Sequence, residues 1–353
     1  MILCWIFFIL CRGSKLVLCR FVDVPIYIYL YICSMSDVMF LEKCIYNVVD
    51  NFCWHVDLFA KNTLIFASRY LNDMEEQQQV RKILVYTDFT SVGERSVQWG
   101  VYFAEKFKME LLLLHVINEN TYTYFPKNTA EQDAQEALAE YSETIKKDHG
   151  VNAEYYVEEG CTCTIINSTA ERIDAYLIVL GTHGKDDLQF LSGTSAVKII
   201  RKARIPYFVI QKNTPYPSYG NKIVLPMDVA KEMKEKTGWV TYFAKHLEQV
   251  IDIVHKKTDD GRLANNLQFC TKFFDRYELV YNRIVLGERK SIDIQAVDYA
   301  SNNECKLIVI TTTKEERLWH KLFGFPEAKI IANEKGIPVL CVNPKKDLYV
   351  PCI

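Results

Sequence analysis

Two short glycine-bearing stretches carry residue types suited to holding a phosphate. Gly181-Thr182-His183-Gly184 follows four apolar residues, Leu177 to Leu180, and Gly193-Thr194-Ser195 opens onto Ala196, Val197, Ile199 and Ile200, which read as the first turns of a helix. Glycines let a backbone come close to a ligand, and a helix N-terminus offers unpaired N–H groups and the positive end of a dipole. A strand, a glycine turn and a helix start are also what any strand-to-helix crossing needs, so the pattern points to phosphate only in company. Asp88, at the end of Lys82 to Asp88 (KILVYTD), is a second candidate, with a turn or cap role as its plain alternative. His183 has no nucleophile or carboxylate beside it in sequence, so it reads as a loop residue rather than a catalytic base. Lys185 suits a phosphate or solvent equally. No Gly-x-Ser-x-Gly elbow surrounds Ser192 or Ser195. The seven histidines are scattered, no Cys-x-x-Cys occurs, and Cys161-Thr162-Cys163 leaves too little between its sulfurs for a zinc knuckle. No metal centre and no catalytic residue is expected.

These residues are useful only if elements bring them together. Lys82 to Tyr86, Leu111 to Ile117, Ala153 to Val157, Leu177 to Leu180 and Tyr207 to Ile210 read as strands. Between them lie helical patterns: Ser96 to Phe107, Thr129 to Asp148 (stopped by Gly150), Thr164 to Ile173, and the run from Gly193. Alternating strands and helices over this length predict an α/β fold with a doubly wound, Rossmann-like parallel sheet. Ligands of such sheets sit beyond the carboxyl ends of the strands, at the point where strand order reverses. Asp88, the residues after Leu114 and the Gly181 turn all fall at such ends. His115 and His255 also end strands, where packing or a hydrogen bond is expected of them.

The pattern then repeats. Asn221 to Asp228 restates Arg81 to Asp88, Trp239-x-x-Tyr242-Phe243-Ala244 restates Trp99-x-x-Tyr102-Phe103-Ala104, and His255 answers His115, each pair 140 residues apart. Leu307 to Ile310, Gly324, Ala328 to Ile331 and Ile337-Pro338 continue the match. The chain therefore reads as two tandem domains, 80–211 and 221–344, with a proline-bearing linker at 212–220 and a tail at 345–353. The Trp99 and Trp239 sets are read as core. The second copy lacks the first copy's glycines: Gly181 becomes Thr311, Gly184 becomes Lys314, and Thr194-Ser195 becomes Phe325-Pro326. A Cβ obstructs a phosphate, and proline removes a donor at the helix start. The second domain is expected not to bind what the first binds.

Residues 1–73 do not fit this scheme. They are apolar, without a clear helical or strand period, and hold six of the twelve cysteines. Their apolar runs are short for a bilayer span, and no signal-peptide pattern is visible. The character changes at Met74, where a natural start is expected; a membrane anchor is the rival reading. The other six cysteines are dispersed as free thiols of a reduced, cytoplasmic protein would be. The net charge of −2, with no basic stripe interleaved with aromatics, argues against nucleic acid as a partner.

Taken in order, Val85-Tyr86-Thr87-Asp88, His115-Val116, Gly181-Thr182-His183-Gly184 and Gly193-Thr194 resemble the universal stress protein family in its tandem two-domain form, over Val80 to about Pro344. The resemblance implies a universal-stress-protein-type sheet, an adenine nucleotide (ATP or AMP, with Mg) in the first domain, and a role as a stress-response regulator or sensor rather than a fast enzyme. By position, Asp88 would bond the adenine or ribose side and the Val116 backbone the adenine edge. Gly181 and Gly184 would pass against ribose and phosphates; Gly193, Thr194 and Ser195 would hold phosphates; Thr87 and Leu180 would line the pocket. Family members often pair through the last strand, so Tyr207 to Ile210 and Val339 to Val342 are expected to pair within the chain as a pseudo-dimer, with further homodimers and unidentified protein partners left open. Two departures stand out. The spacer Lys185 to Ser192 is one residue shorter than in nucleotide-binding members and carries Asp186 and Asp187, and Tyr86 is bulky where a small residue or proline is common. The alternatives are a nucleotide-independent interaction module on the same fold and, last, a nucleotidyl transferase, whose Ser-Gly-Gly-x-Ser or His-x-x-His motif is absent from Thr87-Asp88-Phe89-Thr90.

Overall fold

Runs of apolar residues with no polar alternation become strands covered on both faces, and the computed structural model bears this out. It describes residues 5–11, 14–20, 28–32, 81–183, 193–218, 222–230, 234–287, 292–312 and 326–343. Side chains are described for all of the helical residues in these ranges except Gly193, Thr194, Ser195, Lys198, Lys202, Asp293, Pro326 and Glu327. Met74 and the spacer Lys185 to Ser192, with Gly184, Lys314, Gly324 and Phe325, lie outside them. The chain divides into two units, Met1–Gln79 and Val80–Ile353.

In the first unit, β1 (Trp5–Cys11), β2 (Ser14–Arg20) and β3 (Ile28–Ile32) form an antiparallel sheet in that order, with Trp5 opposite Arg20 and Lys15 opposite Ile32. The sequence reading found no strand period here. Period two is visible only when one face is polar, and WIFFILC is apolar at every position.

The second unit is built on β4 (Lys82–Tyr86), α1 (Ser91–Phe107), β5 (Glu110–Ile117), α2 (Ala130–His149), β6 (Ala153–Glu159), α3 (Thr162–Arg172), β7 (Leu177–Thr182), α4 (Gly193–Lys202) and β8 (Tyr207–Gln211). It continues through β9 (Lys222–Met227), α5 (Thr237–Leu247), β10 (Val250–Lys256), α6 (Gly261–Arg276), β11 (Tyr281–Leu286), α7 (Ile292–Asn302), β12 (Leu307–Thr311), α8 (Pro326–Ile331) and β13 (Val339–Val342). Ten strands form one sheet in the order β11-β10-β9-β12-β13-β8-β7-β4-β5-β6. Read outward from the centre, both halves have the same order, and within each half all pairs are parallel. The halves meet where β13 runs antiparallel to β8, with Val339 opposite Val209 and Cys341 opposite Tyr207. The expected intramolecular pairing is there.

Helices cover both faces. Ile83, Val85, Leu111 and Leu113 pack with α1, α2 and α5 on one side, while Leu84, Tyr86, Leu112 and Leu114 pack with α3 and α4 on the other. On the first face Trp99, Phe103 and Phe107 meet Phe208, Tyr242 and Phe243 across the centre, with ring centroids of Phe103 and Phe243 5.4 Å apart. The tryptophan sets are core, as read. Helix α1 starts at Ser91, ahead of the Ser96 inferred from apolar spacing, because Thr90 caps it: its hydroxyl accepts from the Gly93 N–H at 3.1 Å.

Two contacts the sequence did not announce tie the halves together. At the end of β8, the Gln211 amide donates to the Ile331 carbonyl of α8 at 2.7 Å. Just past β13, the Asn343 amide donates to the Ile200 and Ala203 carbonyls at the end of α4. Each half thus closes the last turn of a helix in the other. The segment read as a linker is strapped to α1: Arg95 donates to the Thr214 carbonyl and the Trp99 indole to the Pro215 carbonyl, the latter at 3.2 Å.

Candidate functional site

In the first half the strand order reverses between β4 and β7, since β5 and β6 lie on one side of β4 and β7 and β8 on the other. The residues after these two strands therefore meet. Asp88 follows β4 and His183 follows β7, and their side chains bond at 3.1 Å (Asp88 Oδ2 to His183 Nε2) with side-chain exposures of only 14% and 7%. Asp88 Oδ1 also accepts from the Thr90 N–H at 3.1 Å and the Thr90 hydroxyl at 2.5 Å. The Thr90 hydroxyl has one proton and gives it to Asp88, so His183 Nε2, 3.2 Å from the Thr90 oxygen, must itself be the protonated donor. Burial pushes the Asp88 carboxyl up, but the hydrogen bonds from His183 and Thr90, with the imidazole's charge, outweigh it and hold the group below its ordinary value.

Asp88 is reached by α1 because residue 93 is glycine. A Cβ there would stand 2.5 Å from Asp88 Oδ1 and 2.9 Å from Thr87 Oγ1. Gly181 serves similarly on the other strand. Its added Cβ would fall 2.6 Å from Val92 Cγ1 and 2.9 Å from Ser96 Oγ, so the first demand on Gly181 is the packing of α1. Sequence reasoning weighed a ligand against a plain strand-to-helix crossing for that glycine, without the packing of α1, and passed over Gly93 and Thr90. The one clue to Thr90 was its type, a capping residue ahead of a helical run. The proximity of Asp88 to His183 corrects the reading that His183 lacks a carboxylate neighbour; residues 95 apart become adjacent only through strand order.

Around this pair the other candidates fall as follows. Thr87 is fully buried, and its carbonyl accepts from His115 Nδ1 at 2.9 Å. Since a carbonyl only accepts, His115 carries its proton on Nδ1, and Nε2, 3.1 Å from the Thr121 hydroxyl, accepts. Burial drives the His115 pKa down, against the pull of Thr87 and Asp88, so this ring is a neutral strut, as its strand-end position implied. Val116 is buried, and its carbonyl accepts from the Asn118 amide at 3.1 Å. Leu180 is buried in the core on the α3 and α4 side. Phe89 holds a left-handed backbone (φ 59°) and packs its ring, tilted, against His115, centroids 4.6 Å apart. Gly193, Thr194 and Ser195 form the first turn of α4, which follows β7 as read; their side chains, like Gly184, are outside the description.

Residues 79–211 match the profile of the universal stress protein family. Residues 79–211 carry a universal stress protein domain. A universal stress protein of Methanocaldococcus jannaschii is 27% identical over 141 residues, which is 37% of this chain and 82% of that protein. The crystal structure of a universal stress protein from Archaeoglobus fulgidus DSM 4304 superposes with a TM-score of 0.61 at 16% identity, covering 76% of this chain and all of that one. One from Pseudomonas aeruginosa UCBPP-PA14, called a putative universal stress protein, gives 0.50 at 16% identity, over 76% of this chain and 94% of its own. At these identities the two structures speak for the fold alone, and that fold extends over both halves.

The second half keeps the strand order of the first but not the chemistry at its reversal. Asp228 Oδ1 accepts from the Ala230 N–H at 2.8 Å, a turn role, and Ala230 has no hydroxyl where the first half has Thr90. Lys236 replaces Ser96, is buried, and donates to the Pro226 carbonyl. Thr311, in place of Gly181, has a buried hydroxyl with no hydrogen-bond partner among the described residues. Helix α8 is six residues long and starts with proline. His255 Nδ1 bonds the Lys256 carbonyl of its own strand at 3.0 Å.

Proposed function

We propose that this universal stress protein domain binds an adenine nucleotide, ATP or AMP with Mg, beyond the ends of β4, β5 and β7, and that the protein acts as a stress-response regulator without rapid turnover. The observation that supports this best is the Asp88 carboxylate, fixed at the strand-order reversal by Thr90 and His183 and kept ionised there. A ligand hydroxyl or amine would take the Asp88 oxygen that His183 now occupies. The N–H groups opening α4 at Gly193, Thr194 and Ser195 would face the phosphates, with Gly181 and Gly184 allowing the chain to pass close. Thr87 and Leu180 would support the pocket floor, and the Val116 backbone would meet the base once Asn118 moves. In this reading the second half is a structural partner. The tandem, duplicated character of the chain is supported by the repeated strand order and the 140-residue offset. Among the described residues no helix is long and apolar enough to cross a membrane, and five free cysteines stand without disulfides; a cytoplasmic location is the reading these favour.

A second reading, an interaction module that binds no nucleotide, is favoured by one fact: Asp88 and the Val116 carbonyl already have partners inside the chain. Calorimetric titration of Mg-ATP and AMP into the full chain separates the two. One site per chain is expected, weakened about tenfold or more by Asp88→Ala, as loss of a hydrogen bond to a charged group implies, and untouched by Asp228→Ala. Absence of binding at millimolar nucleotide to the wild type and to variants that open the pocket would sink the nucleotide reading.

A further inference from the structure

We infer that Tyr86 is the residue that sets access to the base side of this site: its ring fills the space a nucleobase would take, so that nucleotide binds only when the ring moves aside. The inference rests on the nucleotide reading above and deepens it.

Tyr86 is the last residue of β4, next to the strand-order reversal, and is 5% exposed. Side chains of β4 alternate between faces. Ile83 and Val85 go to the α1 side, whereas Leu84 and Tyr86 go to the cluster that holds Ile166 of α3 and Ala196 and Val197 in the first turns of α4. The ring therefore lies under the helix whose N-terminus would hold the phosphates. Thr162 at the start of α3 and Asn118 just past β5 are the polar side chains that act on its hydroxyl. The Asn118 amide in turn reaches the Thr162 hydroxyl at 3.3 Å and the Val116 carbonyl at 3.1 Å. Asn118 thus ties Thr162 to Val116 across the strand ends beside Tyr86, and the backbone expected to read a base is part of that link. Burial, then the nearby Asp88 charge, pushes the phenol's ionisation up, so it remains neutral.

The second half supplies an internal contrast. Pro226 stands where Tyr86 does, 140 residues on, in a strand of the same order. A bulky ring is therefore not something this strand end needs in order to fold. It is confined to the half that keeps Asp88, Thr90 and Gly181.

Opening requires the ring to leave its buried position. The apparent affinity falls by the fraction of chains that are open, and a closed state favoured tenfold weakens binding about tenfold. A ligand without a base does not need that space. Selection by Tyr86 therefore falls on the base and leaves a sugar phosphate unaffected.

The test titrates AMP, Mg-ATP and ribose 5-phosphate into the full chain carrying Tyr86→Ala, Tyr86→Leu or Tyr86→Phe, with thermal unfolding to establish that each is folded. Tyr86→Ala is expected to bind AMP at least about tenfold more tightly than wild type, with ribose 5-phosphate unchanged and Tyr86→Phe like wild type, because the ring and not its hydroxyl fills the space. Tyr86→Leu gives the same answer, in smaller measure, if the alanine variant does not fold. Equal AMP affinity in wild type and in a folded Ala or Leu variant would overturn the role of Tyr86 while leaving the nucleotide site standing. No AMP or ATP binding to any of these proteins would remove the nucleotide reading and this inference with it.

Discussion

A ligand that takes the Asp88 carboxylate must use the oxygen that His183 bonds, because Thr90 already holds the other oxygen twice over. Two residues near that carboxylate allow firm predictions. Gly181→Ala sets a methyl 2.6 Å from Val92 and 2.9 Å from Ser96, so it should cost about 1–3 kcal/mol in urea unfolding with no nucleotide present. Loss of nucleotide binding in a Gly181 variant would therefore say nothing about ligand contact. His115 gives a pH dependence. Its pKa is lower folded than unfolded, so the unfolded chain takes up the proton first as pH falls below about 6.5. The stability it contributes is complete above that value and is lost as pH falls through the folded value. Chemical unfolding at pH 7 and pH 5 should find the gap between wild type and His115→Asn narrowing toward pH 5. A gap that stays constant would mean that His115 is not the neutral strut described. Asp88 obeys the same sign lower down: its contribution holds above about 3.9 and fades as pH drops through its depressed folded value.

Helix α1 is the element on which the site depends, since its first turn supplies Thr90 and Gly93 and its next turns carry Ser96 against Gly181. Thr90→Ala removes both the cap and the shortest bond to Asp88, and should lower stability by about 1–2 kcal/mol, with Thr90→Ser recovering most of it. Urea denaturation of the two variants checks this. The strands and the order of elements were legible in the sequence, because apolar runs such as Leu111 to Leu114 have no other use than a strand buried on both faces. The site was legible as separate strand ends. What could not be read was their pairing: Asp88 and His183 touch because β4 and β7 are neighbours, and a single sequence does not state which strands adjoin. The start of α1 was misplaced for a related reason, since Ser91 to Arg95 are mostly polar and only the Thr90 cap marks them as helix.

At the scale of the molecule, the strand pair β8–β13 and the amides of Gln211 and Asn343 make one body of the two halves. Asn343→Leu removes a donor from the Ile200 and Ala203 carbonyls, the first of which keeps the Ala203 N–H, and should destabilise the chain by about 1–3 kcal/mol. Calorimetry should still find one unfolding transition, shifted down, as neither half can open without baring β8 or β13. Two separate transitions would contradict that coupling. The duplication was visible as a 140-residue offset, but these amides were not, because each reads locally as an ordinary polar residue after a strand.

The amide on each side of that central seam is a different residue, glutamine on one strand and asparagine on the other, and both belong to the same polypeptide. A pair of separate subunits comes apart on dilution, and its members can exchange. Here the tether holds the partner at an effective concentration on the order of millimolar, whatever the amount of protein in the cell. The ratio of the half that keeps Asp88, Thr90 and Gly181 to the half that has lost them is accordingly fixed at one to one by the gene and cannot be titrated by expression level.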